Sequence, residues 1–499
     1  MLKTNMCGEL QIKDIGAEVV LAGWVARRRD HGGLTFIDLR DSSGTIQIVI
    51  KNEKLNLSEK ELNQIRNEWV LGIKGLVTER QEGTRNPNMP TGDIEVSVIE
   101  LEIINPSNTP PFPINEDLTL DEANRIKYRY LDLRRSKMNQ NLKLRHDVMQ
   151  FIRNFLSNKK FIEIETPILN VATPEGARDY VVPSRIHPGK FYALPQSPQQ
   201  WKQLLMVSGF EKYFQIARCF RDEDLRSDRQ PEFTQLDIEI SFVEEKDILI
   251  LIEELMVSML KELNLGFEFS DNFPIITYAE SIEKYGTDKP DLRFELEITD
   301  LSSFFNDTSI KIFADVLKKG QRIRAIHIPG GNRLTKKQLQ ELNEIAKLHG
   351  ALGVASMHFD NDYQITASKY HGFSSLLEKF INIDELLAIN NLFKIKPGDA
   401  IIISAGEDNL TSQILADIRN EIASMLDLTE ETDLAFCFIT EFPMFEYSET
   451  AKKWTAMHHL FTMPFEEDIQ YISTEPARVR SHAYDLVCNG QEVGSGSIR

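Results

Sequence analysis

Long apolar runs, clustered cysteines and an excess of positive charge are all missing from this sequence of 499 residues. No stretch approaches the roughly 20 apolar residues that a membrane-spanning helix needs. The N-terminal segment MLKTNMCGEL has no apolar stretch typical of a secretion signal. We therefore expect a cytoplasmic protein with no membrane partner. The four cysteines, at positions 7, 219, 437 and 488, are too widely separated to indicate a disulfide framework or a CxxC metal site.

The net charge of −19 excludes a protein that coats nucleic acid through a general positive field. Any nucleic-acid site must be a local basic patch, and solubility alone explains the acidic balance equally well. The content of 41% hydrophobic and 27% charged residues is typical of a globular protein with a large core. The length predicts several domains.

Short strand-like segments dominate the first hundred residues. The strings VVLAGWVARRR, LTFIDLR, TIQIVI, WVLGIKGLVTER and DIEVSVIELEII predict a small antiparallel barrel or sheet. The proline-rich string NPSNTPPFPIN then predicts a stiff extended linker. We therefore expect a first domain over residues 1–108.

The remainder mixes helical and strand patterns without the regular alternation of a doubly wound parallel sheet. Within it, TKKQLQELNEIAKLHG is helix-like and ALGVASMHF is strand-like, and the segment that holds them looks inserted. The predicted fold is multidomain α+β. Its predicted parts after the first domain are residues 109–287, an inserted mixed α/β domain at 288–410, and a return to the earlier domain at 411–499.

Strand alternation in FIDLR places Phe36 on the polar face, near the basic run of residues 27–29. Exposed rings stack on bases while guanidinium groups hold phosphates, so this combination suits single-stranded RNA. Gln47 is similarly out of phase with its apolar neighbours and could read a base edge. The alternative is that Phe36 caps the end of a barrel and the arginines form a solvated rim.

The strings GWVARRRDHGG, TFIDLRD, GTIQIV and TGDIEV resemble the anticodon-binding OB-fold domain of aspartyl-tRNA synthetases. The resemblance implies a β-barrel in which Phe36, Gln47 and Glu95 contact anticodon bases, with Arg27 and Arg29 beside them.

A further pair in this region, His31 and Gly83, resembles the pair found in relaxed aspartyl enzymes, which charge both tRNA-Asp and tRNA-Asn. A small Gly83 would leave space at a base edge. The alternative is that these are two ordinary loop residues.

The string RCFRDEDLRSDRQPEFTQLDIEI predicts two strands joined by a polar loop. Arg221 and Glu223 are two residues apart on a predicted strand, so one can hold a phosphate while the other accepts hydrogen bonds from a base. The run resembles motif 2 of class II aminoacyl-tRNA synthetases, and FLSNKKFIEIETPILN resembles motif 1. Motif 1 implies a homodimer. Motif 2 and the C-terminal strand imply an ATP-binding set, with Arg221 also catalytic, that comprises Arg221, Asp222, Glu223, Gln230 and Glu492.

Three more strings, TPEGARDY, LPQSPQQWKQLLM and TAMHHLFTMP, resemble bacterial aspartyl-tRNA synthetase signatures. The family activates L-aspartate with ATP and transfers it to tRNA. A guanidinium paired with a carboxylate rejects asparagine, because the amide would leave donors facing donors. Taken alone, a lysine in a helix-like run is ordinary, and the histidine pair in TAMHHLFTMP lacks a third ligand for zinc. The aspartate-binding set implied by the resemblance comprises Glu175, Gln199, Lys202, Arg221, His458 and Arg499.

The final string, NGQEVGSGSIR, resembles the strand whose glutamate, here Glu492, helps bind ATP and its Mg²⁺, with Asp485 nearby. The third class II motif, whose arginine clamps ATP, has no match up to Arg499. We therefore expect this chain by itself to activate aspartate poorly or not at all. The inserted segment and the preceding YGTDKPDLRF resemble the extra domain of bacterial aspartyl enzymes. The alternatives are an asparaginyl or lysyl relative and a non-catalytic tRNA-binding paralogue.

Overall fold

The computed structural model describes residues 3–51, 58–116, 118–173, 177–224, 229–448, 450–459 and 461–499. The chain divides into two compact units, Met1–Asp147 and Val148–Arg499. Across the described ranges, no helix combines the length and the apolar character needed to cross a membrane.

The first unit is built on a closed barrel with the strand order β1-β2-β3-β5-β4. Alternating burial along the strands, such as Ile37 and Leu39 at 0% exposure in β2, shows why these segments form a barrel: every second side chain enters one core. The predicted barrel is confirmed, and its strands are β1 (Glu18–His31), β2 (Leu34–Arg40), β3 (Thr45–Lys51), β4 (Val70–Glu79) and β5 (Ile94–Asn105).

Residues beyond the predicted boundary at 108 also pack within the first unit. The Asn115 side chain donates to the Ala26 carbonyl oxygen at 2.6 Å, and Arg134 pairs with the buried Glu68 at 2.8 Å. The boundary at 108 stays a prediction. The short helices here are α1 (Glu59–Leu62), α2 (Glu122–Lys127) and α3 (Arg129–Asp132), and α4 (Ser136–Asn158) continues into the second unit.

The second unit contains a sheet in the order β10-β9-β6, in which β9 and β10 are antiparallel. Leu236 and Ile238 of β10 face a core that includes Leu156 and Phe214. The opposite, polar face of β10 is therefore free to form a site. The elements are β6 (Ile162–Glu163), β7 (Val181–Pro183), β8 (Phe191–Ala193), α5 (Gln199–Val207), β9 (Lys212–Phe220) and β10 (Glu232–Ile240).

A second sheet has the order β12-β19-β24-β25. Tyr484 and Leu486 of β24 pack with helix α6, and Asp485 lies between them in sequence and so faces the other side. The elements are α6 (Glu245–Leu263), β11 (Glu268–Phe269), β12 (Ile275–Thr277), α7 (Tyr278–Tyr285), β18 (Asp433–Leu434), β19 (Phe436–Thr440), β20 (Phe442–Pro443), β21 (Phe445–Ser448), β22 (Lys453–Ala456), β23 (Arg480–Ser481), β24 (Ala483–Cys488) and β25 (Gln491–Ser497).

The segment between these parts forms its own antiparallel sheet, in the order β13-β14-β17-β15-β16, with apolar cores on both faces. Helix α11 (Asp408–Met425) packs on this sheet through Ile414 and Ile418, although most of the helix lies beyond the predicted end of the insert at 410. The elements are β13 (Ile298–Asp300), α8 (Lys311–Lys318), β14 (Arg322–Ile328), α9 (Lys336–Leu348), β15 (Ala355–Thr366), β16 (Lys369–Ser375), α10 (Ile383–Phe393), β17 (Ala400–Gly406) and α11 (Asp408–Met425). We call β13–β17 with α8–α11 the inserted module. The predicted α+β class, with a barrel and a separate mixed insert, is confirmed.

Candidate active site and nucleic-acid interface

Strand β10 presents one polar face. Residues two apart in a strand share a face, so Phe233, Gln235, Asp237 and Glu239 line up on the side opposite the apolar core. At about 3.4 Å per residue, Phe233 and Asp237 are roughly 14 Å apart along the strand. This is room for a small molecule with two chemically different ends.

A buried group of charges occupies one end of this face. The Lys202 ammonium, on α5, lies 2.7 Å from an Asp237 oxygen and 3.6 Å from a Glu239 oxygen, and all three side chains are about one tenth exposed. Arg499 follows β25 and places its Nε 3.6 Å from the other Glu239 oxygen. The Arg499 guanidinium also donates to the Gln199 side-chain oxygen at 3.2 Å. The structure thus brings three predicted aspartate-binding residues, Gln199, Lys202 and Arg499, together.

Two buried polar atoms in this group lack a partner within the described part of the chain. They are Nε2 of Gln199, a donor, and Oδ2 of Asp237, an acceptor. The Tyr213 hydroxyl lies beside the Asp237 carboxylate but donates to the Gln215 side-chain oxygen at 2.9 Å. An unpaired buried polar group costs about 1–3 kcal/mol, so such atoms in a cleft indicate a ligand with matching groups. A ligand that carries both an ammonium and a carboxylate would satisfy both atoms.

His459 joins the same group, although sequence reasoning left it out of the site. Arg499 donates to its Nε2 at 2.7 Å, and the Phe461 backbone N–H donates to its Nδ1 at 3.2 Å. Burial, followed by the positive charges of Arg499 and Lys202, lowers the pKa of His459 to about 4. A neutral imidazole accepts at only one nitrogen. The group therefore sets two cations, Lys202 and Arg499, against two carboxylates, Asp237 and Glu239, and suits a ligand that carries both signs of charge.

His458, the histidine predicted to bind aspartate, has different surroundings from the adjacent His459. Its ring packs edge-on against Phe442 with centroids 5.0 Å apart, and its Nε2 has no partner among the described residues. Burial lowers the pKa of His458, and the charges that oppose this shift are those of Glu492, Asp288 and Glu446. An aspartate contact by His458 stays a prediction.

Arg221 lies at the other end of the β10 face, where its guanidinium is 5.0 Å from the centre of the Phe233 ring. Strand β9 ends at Phe220, so the prediction that Arg221 and Glu223 continue a strand is wrong. The Arg221 N–H still donates to the Pro231 carbonyl oxygen at 2.9 Å, but proline has no N–H to continue the ladder, and Asp222 forms an isolated bridge with Arg178.

The rest of the predicted ATP-binding loop is open to solvent. Glu223, Asp222 and Gln230 are exposed, and the Glu223 carboxylate is 3.9 Å from the Arg229 guanidinium. Glu175, the remaining predicted aspartate-binding residue, lies outside the described residues.

Asp485 and Glu492 approach each other on the β24–β25 hairpin, where a bulge follows Leu486. Burial, and then the negative charge of Glu492, raise the pKa of Asp485 to about 8. The Lys289 ammonium lies 3.0 Å from a Glu492 oxygen. Asp288 adds a further negative charge, so the acidic groups outnumber Lys289. Among the described residues, no group of three or more His, Cys, Asp or Glu side chains is arranged to hold a metal ion, so Asp485 and Glu492 could supply only part of the oxygen ligands of a hard cation such as Mg²⁺.

The predicted RNA-reading residues share one face of the barrel in the first unit. Arg29 donates to Asp38 at 2.7 Å and to the Gln47 side-chain oxygen at 3.2 Å, and the Gln47 amide donates to Glu95 at 2.8 Å. Phe36 is half-buried and pairs in register with Arg29. Arg27 is exposed in β1, at the pairing position opposite Asp38. The residues thus form a connected polar patch with a ring beside it.

His31 and Gly83 are both exposed. His31 ends β1 before a Gly-Gly turn, and Gly83 has φ of +83°, with open space where a side chain would project. A residue other than glycine would be strained at position 83 by its backbone alone.

Two acidic residues of the site, Asp237 and Glu239, were missed by sequence reasoning. The signal was present, because LDIEI alternates apolar and acidic residues and so places both carboxylates on one face. Their partner Lys202 is distant in sequence, and only the fold shows that the charges compensate one another.

Comparison with known proteins identifies the family of this chain. Residues 121–499 match the family of tRNA synthetases class II (D, K and N), and residues 19–105 match the OB-fold nucleic acid binding domain. The chain is 47% identical to the aspartate–tRNA(Asp/Asn) ligase of Dehalococcoides mccartyi over 501 residues, and covers 83% of that protein. It is also 47% identical to the ligase of the same name from Thermoanaerobacter pseudethanolicus over 498 residues, and covers 82% of it. Both alignments include 100% of this chain.

Among solved structures, the aspartyl tRNA synthetase from Entamoeba histolytica matches with a TM-score of 0.54. The match covers 99% of this chain and 78% of that one at 17% identity, and concerns the fold. The family predicted from the sequence is confirmed: the chain belongs to the class II tRNA synthetases of the D, K and N group.

Proposed function

We propose that this protein activates L-aspartate with ATP and transfers it to tRNA-Asp and tRNA-Asn. The observation that carries the proposal is the buried group around Lys202, Asp237 and Arg499, with its unpaired donor and acceptor atoms. The substrate ammonium would join the free Asp237 oxygen, and the substrate side-chain carboxylate would accept from Lys202 and Arg499. The names of the relatives, which are aspartate–tRNA(Asp/Asn) ligases, support the same substrates.

The reaction needs no protein nucleophile. An α-carboxylate oxygen of aspartate attacks the α-phosphorus of ATP, and the bond to the pyrophosphate oxygen breaks to give aspartyl-adenylate. A terminal ribose hydroxyl of the tRNA then attacks the aspartyl carbonyl, loses its proton, and AMP leaves. Arg221 would offset the charge that develops on the α-phosphate, and the Phe233 ring beside it offers a surface for a base.

Asp485 and Glu492 are the residues that would hold Mg²⁺. The ion, when bound, would neutralise phosphate charge. Burial and mutual repulsion make this carboxylate pair unfavourable as two free anions, as the raised pKa of Asp485 indicates. A metal that accepts both carboxylates removes that cost.

The barrel face would read the anticodon. Hydrogen bonds from Arg29 to Gln47 and from Gln47 to Glu95 fix the orientation of these polar side chains. Phe36 beside them offers a surface on which a base could stack. The open space at Gly83 and the exposed His31 support tolerance at one base, which is the basis for including tRNA-Asn.

A homodimer is the proposed assembly. Exposed apolar side chains follow the motif 1 strand, with Ile168 at 48%, Leu169 at 55% and Val171 at 68% exposure. A patch of this kind costs free energy in water, and a second copy would cover it. Light scattering at micromolar concentration tests this, and a monomer mass would contradict it. A cytoplasmic location stays a prediction.

Amino-acid-dependent ATP–pyrophosphate exchange tests the activity. The chain extended to the length of its relatives, of which it covers 83%, should exchange with aspartate and not with asparagine or lysine, the substrates of the alternative enzymes. Exchange with none of the three would favour the non-catalytic alternative. Charging of tRNA-Asp and tRNA-Asn transcripts should then proceed at comparable rates, and failure on tRNA-Asn alone would remove that half of the proposal.

A further inference from the structure

Lys289 is a cation that the aspartate reaction does not use, yet it pairs with a residue of the metal-binding hairpin. Its ammonium lies 3.0 Å from a Glu492 oxygen, and both side chains are about one third exposed. Although burial opposes it, the hydrogen bond and charge of Glu492, together with the charges of Asp288 and Asp485, raise the pKa of Lys289. Lys289 therefore forms a direct ion pair with one of the two carboxylates that would bind the divalent ion.

The loop that carries Lys289 packs directly on this hairpin. The hairpin turns at Asn489 and Gly490, which both have positive φ. A Cβ on Gly490 would lie 3.8 Å from the Lys289 carbonyl oxygen and 3.6 Å from the Asp291 Cβ. The loop is also fixed locally, because the Lys289 backbone N–H donates to the Thr287 hydroxyl at 3.1 Å. Lys289 is thus held in place by its backbone as well as by its charge.

The inserted module also binds the same loop, on the C-terminal side of Lys289, through hydrogen bonds from one buried arginine. Arg419 of α11 is 1% exposed and donates to the carbonyl oxygens of Asp291 at 2.6 Å, Phe294 at 2.9 Å and Leu296 at 3.2 Å. Its guanidinium also stacks on the Phe294 ring at 4.2 Å. One side chain of the module therefore fixes the path of the chain that follows Lys289.

We propose that Lys289 is a built-in counter-ion that occupies the divalent-cation position beside Glu492 until metal and ATP arrive, and that Arg419 of the inserted module holds it there. The proposal rests on the proposed function only in taking Asp485 and Glu492 as the metal ligands. It gives the inserted module a role in the metal chemistry of the site. Divalent binding must displace the ammonium, so the ATP-free enzyme binds metal weakly and avoids holding it without nucleotide.

Mn²⁺ binding to the ATP-free protein, measured by the EPR signal of free Mn²⁺, tests the counter-ion. Lys289→Met should bind Mn²⁺ about tenfold more tightly than the unmodified protein, because one positive charge no longer opposes the ion. Lys289→Arg keeps the charge and should stay within about twofold of the unmodified protein. Lys284→Met is the matched control, since it removes an exposed lysine of α7 that pairs with Glu280 at 3.4 Å.

Three results would contradict the proposed role of Lys289 as a counter-ion. They are Mn²⁺ affinity of Lys289→Met within twofold of the unmodified protein, Mn²⁺ binding that survives Glu492→Gln, and no Mn²⁺ binding by Lys289→Met. These outcomes are separate from aspartate-dependent exchange. A protein that fails to exchange with aspartate and still shows the Mn²⁺ shift would contradict the proposed function and leave the counter-ion standing.

The part played by Arg419 requires a double-mutant comparison. Arg419→Lys keeps the buried positive charge but cannot donate to all three backbone carbonyl oxygens at once. Near-UV circular dichroism tests whether the variant is folded. It should tighten Mn²⁺ binding in the unmodified background and have no further effect in Lys289→Met. Equal effects in both backgrounds, or none in either, would show that the inserted module does not act through Lys289.

Discussion

Replacing Asp237 with asparagine would test the amino-acid end of the site. Asp237 is 7% exposed, one of its oxygens pairs with Lys202 at 2.7 Å, and the other has no partner in the described structure. The substitution preserves shape and removes the charge that the substrate ammonium would meet. Lys202 retains the Glu239 carboxylate at 3.6 Å, so a folded protein is expected.

The expected loss follows from the bond that disappears. A hydrogen bond to a charged group contributes about 1.5–3 kcal/mol. At 1.4 kcal/mol per factor of ten, the KM for aspartate should rise about 10- to 150-fold. The KM for ATP should change little, because the Phe233–Arg221 end of β10 is roughly 14 Å away along the strand. ATP–pyrophosphate exchange with each substrate varied in turn measures both quantities.

Glu232→Gln supplies the control on the same strand. Glu232 pairs with Arg218 at 2.9 Å, but both side chains are more than half exposed, and such surface pairs contribute little. Its KM for aspartate should be unchanged. If Asp237→Asn, with unchanged circular dichroism, kept its aspartate KM within twofold of the unmodified enzyme, the ammonium would not bind at Asp237 and the orientation argued here would be wrong.

Three further substitutions probe other parts of the molecule. Arg221→Ala should lower the rate of adenylate formation by on the order of 10²-fold, by analogy with other lost transition-state donors, and near-normal exchange would contradict its role. Although burial opposes it, hydrogen bonds from the Ser43 side chain and from the Cys7 and Ser43 backbone N–H groups lower the pKa of Asp41 to about 2. A carboxyl with a lowered folded-state pKa stabilises the fold above its unfolded value near 4, and this contribution is lost as pH falls from 4 to 2. Asp41→Asn should therefore reduce the free energy of unfolding by about 2 kcal/mol at pH 7 and by much less at pH 2.5, as read by urea titration of Trp24 and Trp69 fluorescence in a background lacking Trp201 and Trp454. An equal loss at both pH values would show that packing, not charge, stabilises this site. Glu68→Gln leaves Arg40 and Arg134 without their shared carboxylate, which is 3% exposed, and should destabilise the first unit by about 3 kcal/mol. A change below about 0.5 kcal/mol would show that water replaces the carboxylate there.

The barrel was predictable because its sequence signals are local. Strand alternation and turn residues lie within a few positions of each other, and the predicted strands agree with the structure to within about two residues at most ends. The packing of α11 was not predictable in the same way. Its apolar stripe, which includes Ile414 and Ile418, fits any core, and only the assembled fold shows that it covers the inserted sheet.

The grouping of some candidate-site residues was predictable from recognisable strings, whereas contacts between charges distant in sequence were not. Gln199, Lys202 and Arg499 were found by resemblance, and the structure places them together. The roles of adjacent residues of the same type were harder to distinguish from the sequence. His458 and His459 are adjacent and chemically identical in sequence, and only burial and geometry place His459 against Arg499. The position of Lys289 beside Glu492 likewise depends on the packing of a loop across a hairpin.

If the buried group binds the substrate as proposed, selection of aspartate over asparagine follows from the Lys202 and Arg499 donors that would face the substrate side chain. Asp237 already accepts from Lys202 at 2.7 Å, and Glu239 forms ion pairs with Lys202 and Arg499 at 3.6 Å. His459, neutral because of its lowered pKa, can accept at only one nitrogen although donors approach both. A second carboxylate on the substrate supplies acceptors without adding donors. An amide would turn N–H groups toward the N–H groups of Lys202 and Arg499, and unpaired buried donors discriminate strongly between substrates. In the proposed site, rejection of asparagine therefore requires no steric barrier, only the N–H groups that Lys202 and Arg499 would present to the substrate side chain.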